Sequence, residues 1–400
     1  MPFPFEFVLF GATLLGVALL HRHTLGVASF GLLLIVAYKL VFADFHGVAG
    51  PAGLVDQLAY EWVLLVNLFC LLVGFAVLSR HFQLSQLPQL LPRVLPDDWT
   101  GGLALLALVF VLSSFLDNIA AAVIGATAAA AVYRQRVHPG YLVAIVAAAN
   151  AGGSGSVVGD TTTTMMWLDG VAPLELLRAY VAALAAFFVF AIPAARQQQR
   201  FSPIVRDPPP DVRVDVARVI VIVLVLVGAI AANVYADSLT ARGDAFPFIG
   251  ATVMSLLLLL TPWRRPDWAV VPGAARGALF LLALVVAASM MPVDSLPEAS
   301  PQATFGLGLV SAVFDNIPLT RLALEQGGYD WAALAYAVGF GGSMLWFGSS
   351  AGVAVTNLFP EARSAGQWLR QGWHVAVGYV VGFLVFLLVL GWQPEGPYLE

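Results

Sequence analysis

Hydrophobic positions in this chain cluster into long runs, and the runs have the length of a bilayer crossing, about 20 residues. They predict membrane spans at 5–20, 24–43, 59–79, 141–167, 174–195, 216–236, 246–261, 268–291, 331–357 and 372–391. Two further apolar runs, 101–133 and 304–326, are broken at midlength by Ser-Ser-Phe-Leu-Asp-Asn (113–118) and Ser-Ala-Val-Phe-Asp-Asn (311–316). Each predicts a re-entrant helical hairpin with a polar tip. Backbone that leaves a helix at membrane depth is tolerated only inside protein or against a watery cavity, so both tips are expected inside and near each other.

Glycine interrupts two of the spans, at Asn150-Ala-Gly-Gly-Ser-Gly-Ser-Val-Val-Gly-Asp160 and at Gly339-Phe-Gly-Gly-Ser-Met-Leu-Trp-Phe-Gly-Ser-Ser-Ala-Gly352. Such density weakens a helix, and the pairs Gly152-Gly153 and Gly341-Gly342 read as unwound backbone more than as sites of close helix approach. The order is then three spans, a hairpin with an Asp-Asn tip, a broken span and a final span, followed by the same order again. The expected fold is an all-α polytopic membrane protein of two inverted repeats. Each repeat has five spans, with one re-entrant hairpin and one discontinuous helix among its elements. The first repeat covers 1–195, with its hairpin at about 101–133 and its broken helix at about 141–167. The second covers 216–400, with the equivalents at about 304–326 and 331–357. Between them 196–215, with Gln197-Gln198-Gln199 and Pro208-Pro209-Pro210, reads as a solvated cytoplasmic linker.

Basic residues test the orientation, because they collect in cytoplasmic loops. With both termini outside, most of the 19 Lys and Arg fall on the inner side, among them Arg22, Arg80, Arg93, Arg134, Arg136, Arg196, Arg200, Arg206, Arg264 and Arg370. Lys39, Arg178, Arg242 and Arg321 remain elsewhere. An odd number of spans per half makes the repeats inverted. The first hairpin then enters from the cytoplasm and the second from outside.

Composition sharpens this picture. The chain is 60% hydrophobic and 11% charged, against roughly 25% charged in soluble domains, so a soluble fold is excluded. Glu6, with no basic region before the first apolar run, argues for a span over a secretory signal. The net charge of -5 and the scattered basic residues point to no nucleic acid and no polybasic lipid site. Cys70 stands alone and reads as a small buried hydrophobe. Of the histidines, His21, His23, His81 and His138 fall in inner loops, His46 in an outer one and His374 at a span end, without metal-ligand spacing.

Inverted repeats with discontinuous helices place an ion site at the midplane. A carboxylate within a membrane segment costs about 2.5–3.5 kcal/mol on insertion scales, so Asp117, Asp160 and Asp315 call for a compensating role. All three also fit N-caps. Duplication of Asp117 and Asp315 at matching tips favours binding, and for Asp160 cap and ligand are compatible. Asn118, Asn150, Asn316, Ser114, Thr161, Ser343 and Ser349 supply neutral oxygens, which suit hard cations. Arg321 reads as snorkelling outward, with an ion pair to Glu325 or an anion as the alternatives.

These motifs, Asn150-Ala-Gly-Gly with Gly159-Asp160-Thr-Thr-Thr and Met166-Trp167, Asp315-Asn-Ile-Pro-Leu and Gly348-Ser-Ser-Ala-Gly-Val-Ala, resemble the ion transporter superfamily. Within it they are similar to the NhaD-type sodium/proton antiporters, which are related to citrate, dicarboxylate and arsenite carriers. Val157-Val158, where such antiporters usually have a proline, and Arg321 depart from the pattern. The resemblance implies a secondary transporter without a cofactor, exchanging sodium or lithium for protons by alternating access in a bacterial cytoplasmic (inner) membrane. It also implies a homodimer as an assembly to expect. The site it implies comprises Ser114, Asp117, Asn118, Asn150, Asp160, Asp315 and Asn316, to which the glycine pairs 152–153 and 341–342, Thr161, Ser343 and Ser349 are added. Asp117, Asn118, Asp315 and Asn316 are the expected sodium ligands.

Two other readings stay open. A sodium-coupled citrate or dicarboxylate carrier would need positive charge at the site, for which Arg321 is the basic candidate. A rhomboid-like intramembrane serine protease would use Ser154, in Gly-Gly-Ser-Gly, with His374 as base.

Overall fold

The computed structural model describes residues 4–20, 23–45, 47–87, 95–204, 213–239 and 246–394. The expectations placed on His21, Arg22, His46, Arg93, Arg206, Pro208-Pro209-Pro210 and Arg242 lie outside those residues.

The described chain is almost wholly helical, and five of its helical stretches are long and apolar enough to cross a membrane: Thr24–Phe42, Gly50–Leu84, Pro173–Phe201, Trp268–Ser289 and Trp373–Leu390. Its helices divide between two compact units, one formed by Met1–Gln86 and Val214–Leu296 and the other by Leu87–Arg213 and Pro297–Glu400. Each unit therefore takes segments from both halves of the sequence.

The first unit holds α1 (Phe5–Leu19), α2 (Thr24–Phe42) and α3 (Gly50–Leu84) from the first half of the chain. Between α2 and α3 a two-residue antiparallel ribbon pairs Asp44 with Ala49 and Phe45 with Val48, a departure from an all-α chain. The fold expects a span at 59–79, yet α3 begins at Gly50 and runs through Leu84. Pro51 in its first turn suits a helix start. The polar residues that end the apolar run are carried on the helix, where Gln57 Nε2 donates to Glu61 Oε1 at 2.6 Å, one turn on. His81, expected in a loop, lies in the same helix and is buried, with its Nδ1 3.0 Å from Arg218 Nη1.

The second unit takes α4 (Trp99–Ser113), α5 (Asn118–Val132), α6 (Pro139–Gly153), α7 (Thr161–Leu168) and α8 (Ala179–Phe201) from the first half. Helix α8 runs on through the beginning of the stretch read as linker. Three helices, α9 (Val216–Leu239), α10 (Phe248–Leu259) and α11 (Val271–Ser289), belong to the first unit, where α10 and α11 both pack on α3. The contact between α10 and α3 is close because of Gly250. Its N–H donates to Asn67 Oδ1 at 2.9 Å, and a Cβ there would meet Cys70 Cβ at 2.7 Å and the Asn67 backbone at 3.1 Å.

The second unit is completed by α12 (Pro301–Ser311), α13 (Asn316–Gln326), α14 (Trp331–Gly341), α15 (Ser350–Leu358), α16 (Ala365–Gln371) and α17 (Trp373–Leu390). Its core is built from small residues of α6, α8 and α14 around a run of stacked rings, Tyr336, Phe340 and Tyr379. Helices α6 and α14 are buried along their whole lengths, so no face of either is left for lipid. That is the pattern of helices buried on all sides.

Overpacking a close helix contact costs about 1–3 kcal/mol. Gly250→Ala is expected to lower the Tm of the purified protein followed by tryptophan fluorescence, whereas Gly273→Ala, with open space around its Cα, is expected to leave it unchanged.

Candidate functional site

Four non-helical turns of the second unit carry the candidate residues, and each begins a helix with a side-chain cap. Asp117 Oδ2 accepts from the N–H of Ile119 at 3.2 Å and opens α5. Asp315 Oδ1 does the same for Ile317 at 3.1 Å and opens α13. Asp160 Oδ1 accepts from Thr162 N–H at 3.2 Å and opens α7, and Ser349 Oγ accepts from Gly352 N–H at 3.2 Å and opens α15. The local sequence dictates this: a short polar side chain before an apolar helix satisfies one of the amides that helix leaves unpaired.

The expected breaks in 141–167 and 331–357 are present. Helix α6 stops at Gly153 and α7 starts at Thr161, while α14 passes through a 3₁₀ turn, Gly342–Met344, before α15. The glycines serve differently from the expectation. Gly152 and Gly341 remain helical, and a Cβ on them would lie 2.0 Å from Phe110 O and 2.1 Å from Gly308 O. They let α6 and α14 touch the backbone of α4 and α12. Gly153 and Gly342 instead let each break fold back on itself, with a Cβ position 2.6 Å from Gly159 O in one and 2.8 Å from Gly348 O in the other.

Two buried networks tie the turns together. In the first, Asn118 Nδ2 donates to Asn150 Oδ1 at 3.2 Å, and Asn150 Nδ2 reaches Ser343 Oγ at 3.0 Å and Ser349 Oγ at 3.2 Å. Asn150 is fully buried, and it joins the α4–α5 turn to both broken helices. The second network starts from Asn316, whose Nδ2 donates to Thr162 Oγ1 at 2.8 Å and lies 3.5 Å from both carboxylate oxygens of Asp160. The 2.8 Å bond is the strong member, since 3.5 Å is beyond the usual range. Ser350 Oγ of α15 lies at the same outer distance, 3.5 Å, from Asp315 Oδ2.

Ser114 is drawn to the first break, donating to Gly152 O at 3.0 Å; Tyr180 OH donates to the same carbonyl at 3.0 Å. That carbonyl, freed by the helix end, is thereby satisfied by protein. Thr161 heads α7 and is buried, but the hydroxyl in the network is its neighbour's, Thr162. Sequence reasoning also missed Gly339, where a Cβ would lie 3.0 Å from Asp160 Oδ2. Counting back from the paired caps, Gly339 stands before Ser349 as Asn150 stands before Asp160, and that correspondence was available in the sequence.

Arg321 does not snorkel. It is 2% exposed, with Nη1 3.1 Å from Asp169 Oδ1 and Nη2 paired with Glu325 one turn on. Glu325 was one of the alternatives; Asp169 was not foreseen. Arg178 is similarly engaged, 3.1 Å from Asp330, the buried cap of α14. Ser154, fully buried, donates to Ala151 O at 2.8 Å, and His374 has no hydrogen bond to it among the described residues.

Asn118 and Asn316 each donate through Nδ2, to Asn150 and Thr162 respectively. Among the described residues no three His, Cys, Asp or Glu side chains gather as a metal site.

The fold and these turns define a polytopic helical membrane protein with two broken helices and two polar-tipped helix pairs in one unit. No family model matches the chain. It is 27% identical over 316 residues to sodium/proton antiporter 1 of Arabidopsis thaliana, covering 70% of this chain and 54% of that protein. It is 24% identical over 333 residues to sodium/proton antiporter 2 of the same plant, covering 73% and 76%. Over 87 residues, 21% of this chain and 18% of the relative, it is 33% identical to the Na(+)/H(+) antiporter NhaD of Halomonas elongata. The match thus spans about half the length of the first relative. The chain is thus similar, at modest identity, to proteins named sodium/proton antiporters, and over a short segment to one named NhaD.

Removing one member of a buried ion pair costs about 3–5 kcal/mol because its partner is left buried and charged. Arg321→Gln is expected to lower the thermal stability of the purified protein sharply, and adding Asp169→Asn to recover part of the loss. An unchanged Tm in Arg321→Gln would show that the cluster contributes nothing.

Proposed function

We propose that the protein is a secondary transporter exchanging sodium or lithium for protons by alternating access, with sodium as cargo and no resident cofactor. In this reading α4–α5 and α12–α13 are re-entrant hairpins of two inverted repeats, 1–195 and 216–400, entering from opposite faces of a bacterial cytoplasmic membrane with both termini outside. Asp117, Asn118, Asp315 and Asn316 are the cation ligands at the tips, and Asp160 is the third carboxylate. Competition of a cation and a proton for the same carboxylates couples the two flows.

The observation that carries the reading is the pair of asparagine networks, which link each Asp-Asn tip to a broken helix. A tip that moves must then disturb the turn that holds the other carboxylates. The names of the relatives support the same ions. The carboxylate-carrier reading draws no support from Arg321, whose guanidinium is engaged by Asp169 and Glu325.

Purified protein in liposomes is expected to acidify or alkalinise the lumen when a sodium or lithium gradient is imposed. Asp117→Asn and Asp315→Asn should each remove most of that exchange, by about tenfold or more, the effect of about 1.4 kcal/mol. Full exchange in both variants would remove the site assignment, and labelled citrate uptake without proton movement would replace the antiporter with a carboxylate carrier.

A further inference from the structure

Away from the acidic turns, the second unit has two adjoining cavities at one end of α8. The smaller, about 400 Å³, is lined by Ile192, Pro193, Arg196, Gln197, Arg200, Trp373 and His374. The larger, about 670 Å³, shares Gln197 and adds Arg370 with Gln367 and Gln371. Neither lining contains an Asp or a Glu.

The helical repeat builds this lining. Ile192, Arg196 and Arg200 follow one another at every fourth position of α8, so they stand on one face. The guanidinium of Arg196 rests 4.7 Å from the centre of the Trp99 ring. Among the described residues no carboxylate pairs with Arg196, Arg200 or Arg370. The remaining wall is the first turn of α17, where the helix dipole adds positive character.

His374 is the telling residue. It is 1% exposed and lines the smaller cavity, and neither ring nitrogen has a hydrogen bond of ordinary geometry, the Gln371 backbone interacting with the ring only weakly. A buried polar group without a partner costs about 1–3 kcal/mol, and a ligand oxygen in the cavity would remove that cost. Gln197 Oε1 and Gln371 Oε1 are also buried and unpartnered; as acceptors they call for a donor, such as a headgroup hydroxyl, and not for a phosphate oxygen.

The place of the cavity selects the source of such an oxygen. It lies where the candidate span Pro173–Phe201 ends and the candidate span Trp373–Leu390 begins. Trp373 there is 55% exposed, as tryptophan is at the level of lipid headgroups. Basic pockets between spans at that level take phosphate headgroups, and Ile192, Pro193 and Trp373 offer an apolar wall for the glycerol and the start of an acyl chain.

We propose that this paired cavity binds the phosphate of an anionic phospholipid headgroup, with Arg196 and Arg200 as the charge partners and His374 as a hydrogen-bond partner. The site is separate from the acidic turns and does not depend on which ion the protein carries.

The test uses the whole purified protein in detergent, with thermal unfolding read by tryptophan fluorescence. Phosphatidylglycerol is expected to raise the Tm by several degrees and phosphatidylcholine to leave it unchanged. Inorganic phosphate alone is expected to have little effect. In the double variant Arg196→Gln, Arg200→Gln the phosphatidylglycerol shift should fall by at least half, and His374→Phe should reduce it as well. Equal shifts in wild type and the double variant overturn the proposal, and so does an equal rise from inorganic phosphate, which would make the site one for a free anion. If the double variant is not recovered folded, native mass spectrometry of the wild type decides: preferential retention of phosphatidylglycerol supports the site, and equal retention of both lipids overturns it.

Discussion

A helix that breaks inside a packed interior exposes amides and carbonyls that must find other partners, and in the second unit side chains at the turns supply them. Four caps, Asp117, Asp160, Asp315 and Ser349, satisfy amides at the restarting helices. Ser114 and Tyr180 satisfy the carbonyl of Gly152 at the end of α6. Asn150 then spans the space between the turns, using both ends of its amide. With an unsatisfied buried group costing about 1–3 kcal/mol, the polar cluster is a condition of the fold before it is a site.

Close backbone contact is the second condition, and glycine meets it twice in the same way. Gly152 against Phe110 and Gly341 against Gly308 bring each broken helix onto the first helix of a polar-tipped pair, and Gly159 against Ser113 and Gly348 against Ala312 repeat the contact on the other side of the break. The chemistry placed on this common frame is unequal. Gly339 stands before Ser349 as Asn150 stands before Asp160, and the room at Gly339 admits an oxygen of Asp160. One broken helix contributes a carboxylate and an amide, the other serines.

Much of this was legible in the sequence because it rests on local rules. The breaks at 113–118, 150–160, 311–316 and 339–352 were visible as polar or glycine-rich interruptions of apolar runs. The Asp-Asn turns were readable as caps. What stayed hidden depended on long-range partners. Nothing near Arg321 in sequence names Asp169, which is far away along the chain and meets it only when α13 packs on α7. The choice of Thr162 over Thr161 depends on the phase of α7, which four consecutive threonines do not reveal. Helix α3 outran its apolar window at both ends, from Gly50 to Leu84, carrying polar residues such as Gln57 and His81 as buried members of the helix.

The most direct measurement of the central claim is equilibrium binding of radiolabelled sodium to the purified protein, with Asp117, Asp160 and Asp315 changed to Asn one at a time. Saturable binding that each change weakens, with Cys70→Ser as an unaffected control, is the predicted result. Undiminished binding in all three variants would place the cation elsewhere and contradict the account.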